Sequence, residues 1–463
     1  MKTNTLLITL LLALPLSARA QYVHQRSSGY DTPDDPQVVA KLHQWQDQKF
    51  GMLIHWGLYA VPGIVESWNI CSEEQDFISR DSTADYNEYK KQYWALKEQF
   101  NPTQFNPEQW AQTAKEAGMR YVIFTTKHHD GFNMFNTAYS DFSIAKGPFG
   151  TNPRADVAKY VFQAFRNQQM MIGAYYSKPD WHSPYYWWPR YATPGREHNY
   201  NIDRNRWRWN QFNEFVYNQL DELMHNYGSI DILWLDGGWV NATGSKAQLD
   251  MPRMAAMARK AQPGLLMVDR TIHGKYENYQ TPEQQIPAKQ LSYPWETCMT
   301  LGTDWGYNPH AVFKSPAVIV GKLIEIVAKG GSLVLGIGPT PEGILQKEVV
   351  AHLQTIGQWM KLNGKAIYNT LPTSCYESNG TWFTADKDGK TLYALHSLPQ
   401  EGKMPAFIEW EKNLPLKGSA MYCLQNGKRV KWLLKDGRVR VYPPAQIKTE
   451  IRALTFSFVP TGK

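Results

Sequence analysis

The sequence contains little cysteine, and its few cysteines are far apart. Only four occur among the 463 residues, namely Cys71, Cys298, Cys375 and Cys423. Their separation fits neither a metal site nor a disulfide framework. We therefore expect four thiols without a disulfide, buried in the protein. A single Cys375–Cys423 bridge is the alternative if the protein is exported.

Several catalytic and cofactor-binding motifs are also missing. No GxSxG occurs, which disfavours a Ser-His-Asp hydrolase. No GxGxxG follows a strand, which argues against a dinucleotide-binding fold. No HExxH accompanies the pair His128 and His129. Adjacent residues of a strand point to opposite faces, so the pair rarely binds one ion. We predict no metal and no cofactor, and a hydrogen-bonding role for at least one of the two histidines.

Long hydrophobic runs are missing except near the start of the chain. Residues 1–20 read MKTNTLLITLLLALPLSARA. Lys2, the apolar run and the small residues Ala18 and Ala20 together predict a secretory signal peptide that is cleaved after Ala20. The run is too short for an ordinary membrane span, and no later segment predicts one. We expect a periplasmic or secreted protein.

Charge of one sign is not concentrated either. The formal net charge is +7 and no run of basic residues occurs, so no nucleic-acid partner is expected. Aromatic residues, by contrast, are abundant: they make up 13% of the chain and include 18 tryptophans. Indole rings stack well on the apolar face of a sugar, so this composition suits a carbohydrate site.

The order of hydrophobic patterns predicts the fold. Between about residues 45 and 365, short apolar runs alternate with amphipathic helical stretches. This order is typical of a parallel sheet covered by helices, and it favours a (β/α)8-like, TIM-type barrel over an open sheet. We count seven strands rather than eight, so an irregular barrel is the alternative to a regular eight-stranded one. The predicted domains are a signal peptide (1–20), a catalytic barrel (21–368) and a C-terminal domain (369–463).

The C-terminal region has a different pattern. After residue 368 helical periodicity gives way to alternating strands separated by Asp-Gly and Asn-Gly pairs at 388–389, 426–427 and 436–437. Such pairs are strong hairpin signals. We predict a small antiparallel β-sandwich.

The ends of the predicted barrel strands carry polar and aromatic residues, and a barrel of this type places its working groups there. Asp236 is the strongest candidate for a functional residue at these strand ends. It ends an apolar strand, two glycines follow it, and Trp234 lies two residues before it. The alternative is an Asp that caps the following helix.

If this site cleaves a glycosidic bond, it needs a second carboxyl group besides Asp236, and that group must be protonated when substrate arrives. Glu283 and Glu296 are the candidates. Trp295 precedes Glu296, and a neighbouring indole desolvates a carboxyl group and raises its pKa, which favours Glu296. Either residue could instead belong to a surface loop.

Six motifs together resemble the α-L-fucosidases of glycoside hydrolase family 29. They occur in that family's order and span about residues 45 to 370. The motifs are FGMLIHWG (50–57), TKHHDGF (126–132), WLDG (234–237), PWETC (294–298), WGYN (305–308) and GGSLVLGIGPT (330–340).

The resemblance implies a retaining double displacement on terminal α-L-fucose of an oligosaccharide or glycoconjugate, without a metal. It implies that Asp236 is the nucleophile and that Glu296, with Glu283 as the alternative, is the acid/base. The resemblance also implies one tyrosine of the pair Tyr175 and Tyr176 beside the sugar, and Tyr176 is the preferred one. The other residues implied around the sugar are His55, Glu66, Trp68, His128, His129, Trp234, Arg270 and Trp305. An exo-glycosidase for another sugar and a silent sugar-binding protein are the alternatives. The sequence does not indicate an oligomeric state.

Overall fold

The computed structural model describes residues 30–72, 78, 80, 85–445, 447 and 450–461. The predicted signal peptide lies outside these residues. The helices of the described chain are α1 (Pro36–Gln46), α2 (Tyr86–Ala95), α3 (Pro107–Glu116), α4 (Val157–Asn167), α5 (Arg206–Asn226), α6 (Met251–Ala261), α7 (Pro316–Ala328) and α8 (Lys347–Asn363). The strands that alternate with them are β1 (Phe50–Ile54), β2 (Tyr121–Lys127), β3 (Met171–Ser177), β4 (Ile232–Asp236), β5 (Leu266–Asp269), β6 (Glu296–Thr300) and β7 (Ser332–Ile337).

These seven strands form one parallel sheet in the order β5-β4-β3-β2-β1-β7-β6. Every residue of β1, β2, β3 and β7 is buried. Strands covered on both faces are expected to be apolar throughout, which is the pattern that identified them in the sequence. The predicted α/β barrel-like fold is confirmed.

A segment without regular strand structure lies between β5 and β6, the two ends of the sheet. We call residues 276–284 the closing segment. On one side the Asn278 amide donates to the Met267 carbonyl (2.8 Å), and on the other the Gln284 amide donates to the Cys298 carbonyl (2.8 Å). It forms parallel bridges to Trp295, just before β6, and to Cys298 within β6. The far end of the closing segment therefore lies near the C-terminal ends of the strands.

Helix α1 covers the N-terminal end of the barrel. Asp35 caps it by accepting from the Gln37 amide, and Pro36 occupies its first turn, where a missing N–H is harmless. Its face of Val38, Leu42 and Trp45 is buried. The Trp45 ring stacks on Tyr279 of the closing segment with ring centroids 3.9 Å apart.

The chain continues after α8 as an eight-stranded antiparallel sheet in the order β11-β14-β13-β12-β15-β10-β9-β8. Its strands are β8 (Thr370–Ser378), β9 (Thr381–Asp386), β10 (Leu392–Ser397), β11 (Ile408–Trp410), β12 (Met421–Cys423), β13 (Lys428–Lys435), β14 (Arg438–Tyr442) and β15 (Ala453–Phe458). Asp436 and Gly437 both have positive φ (51° and 76°) between β13 and β14. That geometry suits a two-residue hairpin, and the predicted C-terminal β-sandwich is confirmed.

The small domain packs on the barrel through α7 and α8. The Trp359 indole N–H on α8 donates to the Ala453 carbonyl on β15 (2.8 Å). Leu395 and Ile451 join the same apolar cluster as the barrel helices. The barrel and the β-sandwich thus share a continuous core.

All four cysteines lie among the described residues, and each is a thiol without a disulfide, as predicted. Three are buried as predicted, but Cys375 is half-buried, so the prediction of burial was wrong for that residue. None of the helices in the described ranges combines the length and the hydrophobicity that a bilayer crossing requires.

Candidate active site

The C-terminal ends of β3, β4 and β5 bring the predicted groups together around Asp236. Asp236 ends β4, and its side chain keeps 18% of its surface exposed. The Arg270 guanidinium lies 2.8 Å from Oδ1 through Nη1. The Tyr175 hydroxyl donates to Oδ2 (2.7 Å), and His129 Nε2 is 3.8 Å from the same oxygen.

These contacts determine the charge of Asp236. Burial opposes ionisation, but Arg270, His129, the Tyr175 hydroxyl and the Gly237 amide together hold the pKa of Asp236 well below its usual range. The carboxylate is therefore ionised at neutral pH, as a nucleophile requires.

A second carboxyl group, that of Glu283, shares the same guanidinium. Arg270 Nη2 donates to Glu283 Oε2 (2.9 Å), and the Trp305 indole N–H donates to Oε1 (3.3 Å). Thr281 accepts from Arg270 Nε (3.0 Å) and fixes the guanidinium from the closing segment. The Glu283 side chain is 30% exposed. One cation thus joins two accessible carboxyl groups at the mouth of the barrel.

Glu296 lies at the opposite end of the barrel, which argues against the acid/base role predicted for it. It is the first residue of β6 and pairs in register with Ser332, the first residue of β7. Its side chain is fully buried, and Oε1 accepts from the Tyr121 hydroxyl (2.7 Å). Burial raises its pKa to about 8, so the desolvation expected from sequence is present, but the side chain has no exposed surface.

Tyr176 also points away from the site. Residues of a strand alternate in direction, and the interior position of β3 falls on Tyr175. The Tyr176 hydroxyl instead contacts Lys127 Nζ (2.9 Å) and donates to Gln219 on α5 (2.8 Å). The prediction chose the wrong member of the pair.

His128 and His129 follow the last residue of β2, so strand alternation does not separate them. Both rings face the site, with centroids 4.3 Å apart. The Ser67 hydroxyl lies 2.6 Å from His128 Nδ1, and the Ser177 hydroxyl lies 2.6 Å from His129 Nδ1. These hydrogen bonds orient both rings.

His55, at the end of β1, completes the histidine cluster, and its ring lies 5.1 Å from that of Trp305. Burial lowers the pKa of His55 to about 3 and that of His129 to about 4. Both are therefore neutral at pH 7 and offer polar atoms to a neutral, hydroxyl-rich ligand.

Three possible metal ligands, from His128, His129 and Asp236, lie within 4.8 Å of one another. Arg270 already places a positive charge 2.8 Å from Asp236. A divalent cation there would be repelled by the guanidinium, so this donor set fits a metal poorly.

The remaining predicted residues form the walls and floor. Glu66 is buried and accepts from the Gly306 amide (2.7 Å), next to Trp305, and burial raises its pKa to about 7. The Trp68 ring lies 5.5 Å from that of His129. Trp234 forms the floor, with Arg270 Cζ 4.4 Å from its ring centroid.

Sequence reasoning missed several supporting residues. Ser67 and Ser177 escaped notice because an isolated serine carries no pattern. Arg196 packs over Trp68 (4.9 Å) and Trp239 (5.4 Å) from a long loop after β3. No spacing rule connects that loop to the strand ends.

Comparison with known proteins agrees with this geometry. The α-L-fucosidase family model matches residues 17–365. Human plasma α-L-fucosidase is 28% identical over 418 residues, which cover 85% of this chain and 84% of that protein. The α-L-fucosidase of Branchiostoma floridae is 29% identical over 378 residues, covering 76% and 78% of the two chains.

Solved structures of α-L-fucosidases are also similar to this chain. α-L-Fucosidase isoenzyme 1 from Paenibacillus thiaminolyticus superposes with a TM-score of 0.76 at 28% identity, covering 92% of this chain and 100% of that one. The α-fucosidase of Thermotoga maritima gives a TM-score of 0.73 at 25% identity, covering 93% and 100%. With the family model matched over most of the barrel, the chain belongs to the α-L-fucosidases, the retaining exo-glycosidases of glycoside hydrolase family 29.

Proposed function

We propose that this enzyme removes terminal α-L-fucose from glycans with Asp236 as nucleophile and Glu283 as acid/base. The observation that carries the proposal is the single Arg270 guanidinium that contacts both carboxyl groups at the mouth of the barrel, at 2.8 and 2.9 Å. The Thermotoga maritima relative has been solved with fucose and with a mechanism-based inhibitor, which supports the choice of sugar and of a covalent pathway.

In the first step Asp236 attacks the anomeric carbon and forms a β-linked ester. The glycosidic C–O bond breaks, and Glu283 gives its proton to the departing oxygen.

In the second step Glu283 takes a proton from water, and the water oxygen displaces Asp236. Ester formation has by then removed the charge of Asp236. Arg270 is left with Glu283 as its carboxylate partner. Two inversions regenerate the α configuration.

The surrounding residues bind the sugar in this proposal. The neutral rings of His55, His128 and His129 exchange hydrogen bonds with its hydroxyl groups. Trp305 and Trp68 supply apolar surface for the ring and the rim. A terminal sugar suits this arrangement because the histidine cluster and the Trp234 floor close the inner end of the site.

The direct test is hydrolysis of an aryl α-L-fucoside followed by NMR of the first sugar released. We expect α-L-fucose before mutarotation. Absence of hydrolysis would contradict the substrate assignment, and a β anomer appearing first would contradict retention.

Export is a separate proposal that rests on residues 1–20, outside the described chain. We expect the mature protein in the periplasm or the medium, beginning at Gln21. Cell fractionation with sequencing of the mature N-terminus tests it, and an intact N-terminus in the cytoplasm would contradict it.

A further inference from the structure

Ser177 is the last residue of β3, and its hydroxyl group lies between a histidine ring and a backbone carbonyl. Ser177 pairs in register with Asp236 of β4, and its side chain is fully buried. The hydroxyl oxygen lies 2.6 Å from His129 Nδ1 and 2.8 Å from the Pro179 carbonyl oxygen. A serine hydroxyl has a single proton, so it donates to only one of these two atoms.

The Pro179 carbonyl determines where that proton lies. A carbonyl oxygen only accepts, so the Ser177 hydroxyl donates to Pro179 and its oxygen is left to accept. His129 Nδ1 therefore carries a proton and donates it to Ser177. The opposite arrangement would set two oxygen lone pairs against each other at 2.8 Å in a fully buried place. A flipped imidazole would put a carbon atom 2.6 Å from the hydroxyl oxygen, well inside van der Waals contact.

The other ring nitrogen of His129, Nε2, carries no proton while the ring is neutral. Burial lowers the pKa of His129 to about 4, so the ring is neutral at neutral pH, and the proton on Nδ1 leaves Nε2 with a lone pair. Nε2 lies 3.8 Å from Asp236 Oδ2, beyond hydrogen-bond distance. A lone pair beside the proposed nucleophile therefore faces the site, and it fits a ligand group that donates a proton.

We propose that Ser177 is a positioning residue that holds His129 with its proton on Nδ1, so that Nε2 accepts a hydrogen bond from a hydroxyl group of the sugar. The inference rests on the proposed function, since the sugar is the fucose that Asp236 attacks. The 2-hydroxyl is the only hydroxyl group on a carbon bonded to the anomeric carbon, and we assign it to Nε2 for that reason. An acceptor at this place selects for a hydroxyl group and against substituents that cannot donate.

The first test measures inhibition of nitrophenyl fucoside hydrolysis by L-fucose, 2-deoxy-L-fucose and 2-deoxy-2-fluoro-L-fucose. We expect both analogues to bind the wild-type enzyme at least about 10-fold more weakly than L-fucose, because each leaves Nε2 without a donor. The fluoro analogue should bind no more tightly than the deoxy analogue, since fluorine accepts hydrogen bonds but does not donate them. A fluoro analogue that binds as tightly as L-fucose would show that Nε2 carries a proton, and it would overturn the inference.

Two variants separate positioning from stability. Ser177→Ala removes the acceptor of the Nδ1 proton, so the ring is free to carry its proton on Nε2. The advantage of L-fucose over 2-deoxy-L-fucose should then fall below about threefold, a ratio that misfolded enzyme does not affect. Ser143→Ala is the matched control. Ser143 is also fully buried, donates to the Phe135 carbonyl (3.2 Å) and accepts from the Ala145 amide (3.1 Å), so its loss should lower the unfolding temperature and leave the ratio unchanged. A wild-type ratio in Ser177→Ala would contradict the role of Ser177.

Neutron diffraction from deuterium-exchanged crystals of the wild-type enzyme at neutral pH locates the protons directly. We expect deuterium on His129 Nδ1, none on Nε2, and the Ser177 deuteron directed at the Pro179 carbonyl. Deuterium on Nε2 would overturn the inference whatever the substrate. A wild-type enzyme that neither cleaves an aryl fucoside nor binds L-fucose would instead defeat the proposed function, and that outcome is visible before any variant is made.

Discussion

At the scale of single residues, the site depends on the Arg270 guanidinium, because it contacts two carboxyl groups at once. Arg270 gives one nitrogen to Asp236 and the other to Glu283. The two carboxyl groups contact the same positive charge but differ in side-chain exposure, which is 18% for Asp236 and 30% for Glu283.

Asp236→Gly tests the nucleophile. Without the carboxylate no ester forms, so kcat should fall by at least about 1,000-fold. Azide fits the space that the side chain leaves and should restore part of the rate, giving β-fucosyl azide, identified by NMR. Wild-type enzyme with azide is the control. Near-normal activity of the variant would exclude Asp236 from this role.

Glu283→Ala and Glu296→Ala distinguish the two acid/base candidates. An acid matters most for poor leaving groups, so Glu283→Ala should lose natural fucosyl linkages far more than nitrophenyl fucoside. Azide should accelerate its turnover and give α-fucosyl azide. Glu296→Ala should slow both substrates alike and show no azide product. The same signatures in Glu296→Ala would restore the sequence-based assignment.

Metal independence is a prediction at the same scale. The Arg270 charge beside Asp236 makes the cluster of His128, His129 and Asp236 a poor cation site. Prolonged treatment with EDTA or phenanthroline should leave fucosidase activity within about twofold, since no step needs a metal. Loss of activity with recovery on adding one divalent ion would show that a metal is required.

At the scale of elements, β6 brings a titratable group into the barrel. Burial raises the pKa of Glu296 from 4.5 to about 8, so the folded state prefers the protonated form. That stabilisation is complete below pH 4.5 and is lost as pH rises towards 8.

Glu296→Gln cannot ionise, so its unfolding temperature should rise relative to wild type between pH 4.5 and 8. The limiting slope is about 1.4 kcal/mol per pH unit. Thermal unfolding of both proteins at matched pH values measures the difference. A constant difference across this range would contradict a raised pKa for Glu296.

The elements also show what the sequence could predict. The apolar runs of β1, β2, β3 and β7 and the terminal position of Asp236 on β4 were readable, because covered parallel strands leave that pattern. The choice between Tyr175 and Tyr176 was not, since every residue of β3 is buried and alternation leaves no polar face.

The position of Glu296 was hidden from the sequence for a related reason. β6 begins with a glutamate, and the closing segment contains Pro282, so neither resembles a buried strand. Their mutual register, which places Glu283 at the mouth and Glu296 at the base, arises from long-range bridges. The local clue, a tryptophan beside Glu296, correctly indicated desolvation but carried no information about which end of the barrel it occupies.

At the scale of the whole molecule, the β-sandwich completes the core of the barrel. Leu395 and Ala453 are buried in the cluster that includes α7 and α8, and Thr384 Oγ1 donates to the Ala366 carbonyl (2.8 Å). Removing the small domain would expose that apolar surface to water.

We therefore expect a fragment of residues 21–368 to be poorly soluble or to unfold at least about 10 °C below the mature chain. Soluble yield and thermal unfolding of the two proteins measure this, with fucosidase activity as a second readout. A stable, active fragment would show that the barrel is independent of the sandwich.

The two proposed catalytic residues, Asp236 and Glu283, stand in structurally different surroundings. Asp236 ends β4, which forms continuous ladders with β3 and β5, so an insertion in β4 would disturb both neighbouring strands. Glu283 stands on a stretch held by isolated bridges, so a change in its length or sequence leaves the ladder of β4 intact. The segment between Arg270 and Trp295 is therefore the place to insert alternative sequences in a search for variants that transfer fucose to new acceptors. Such replacements leave Asp236 in place.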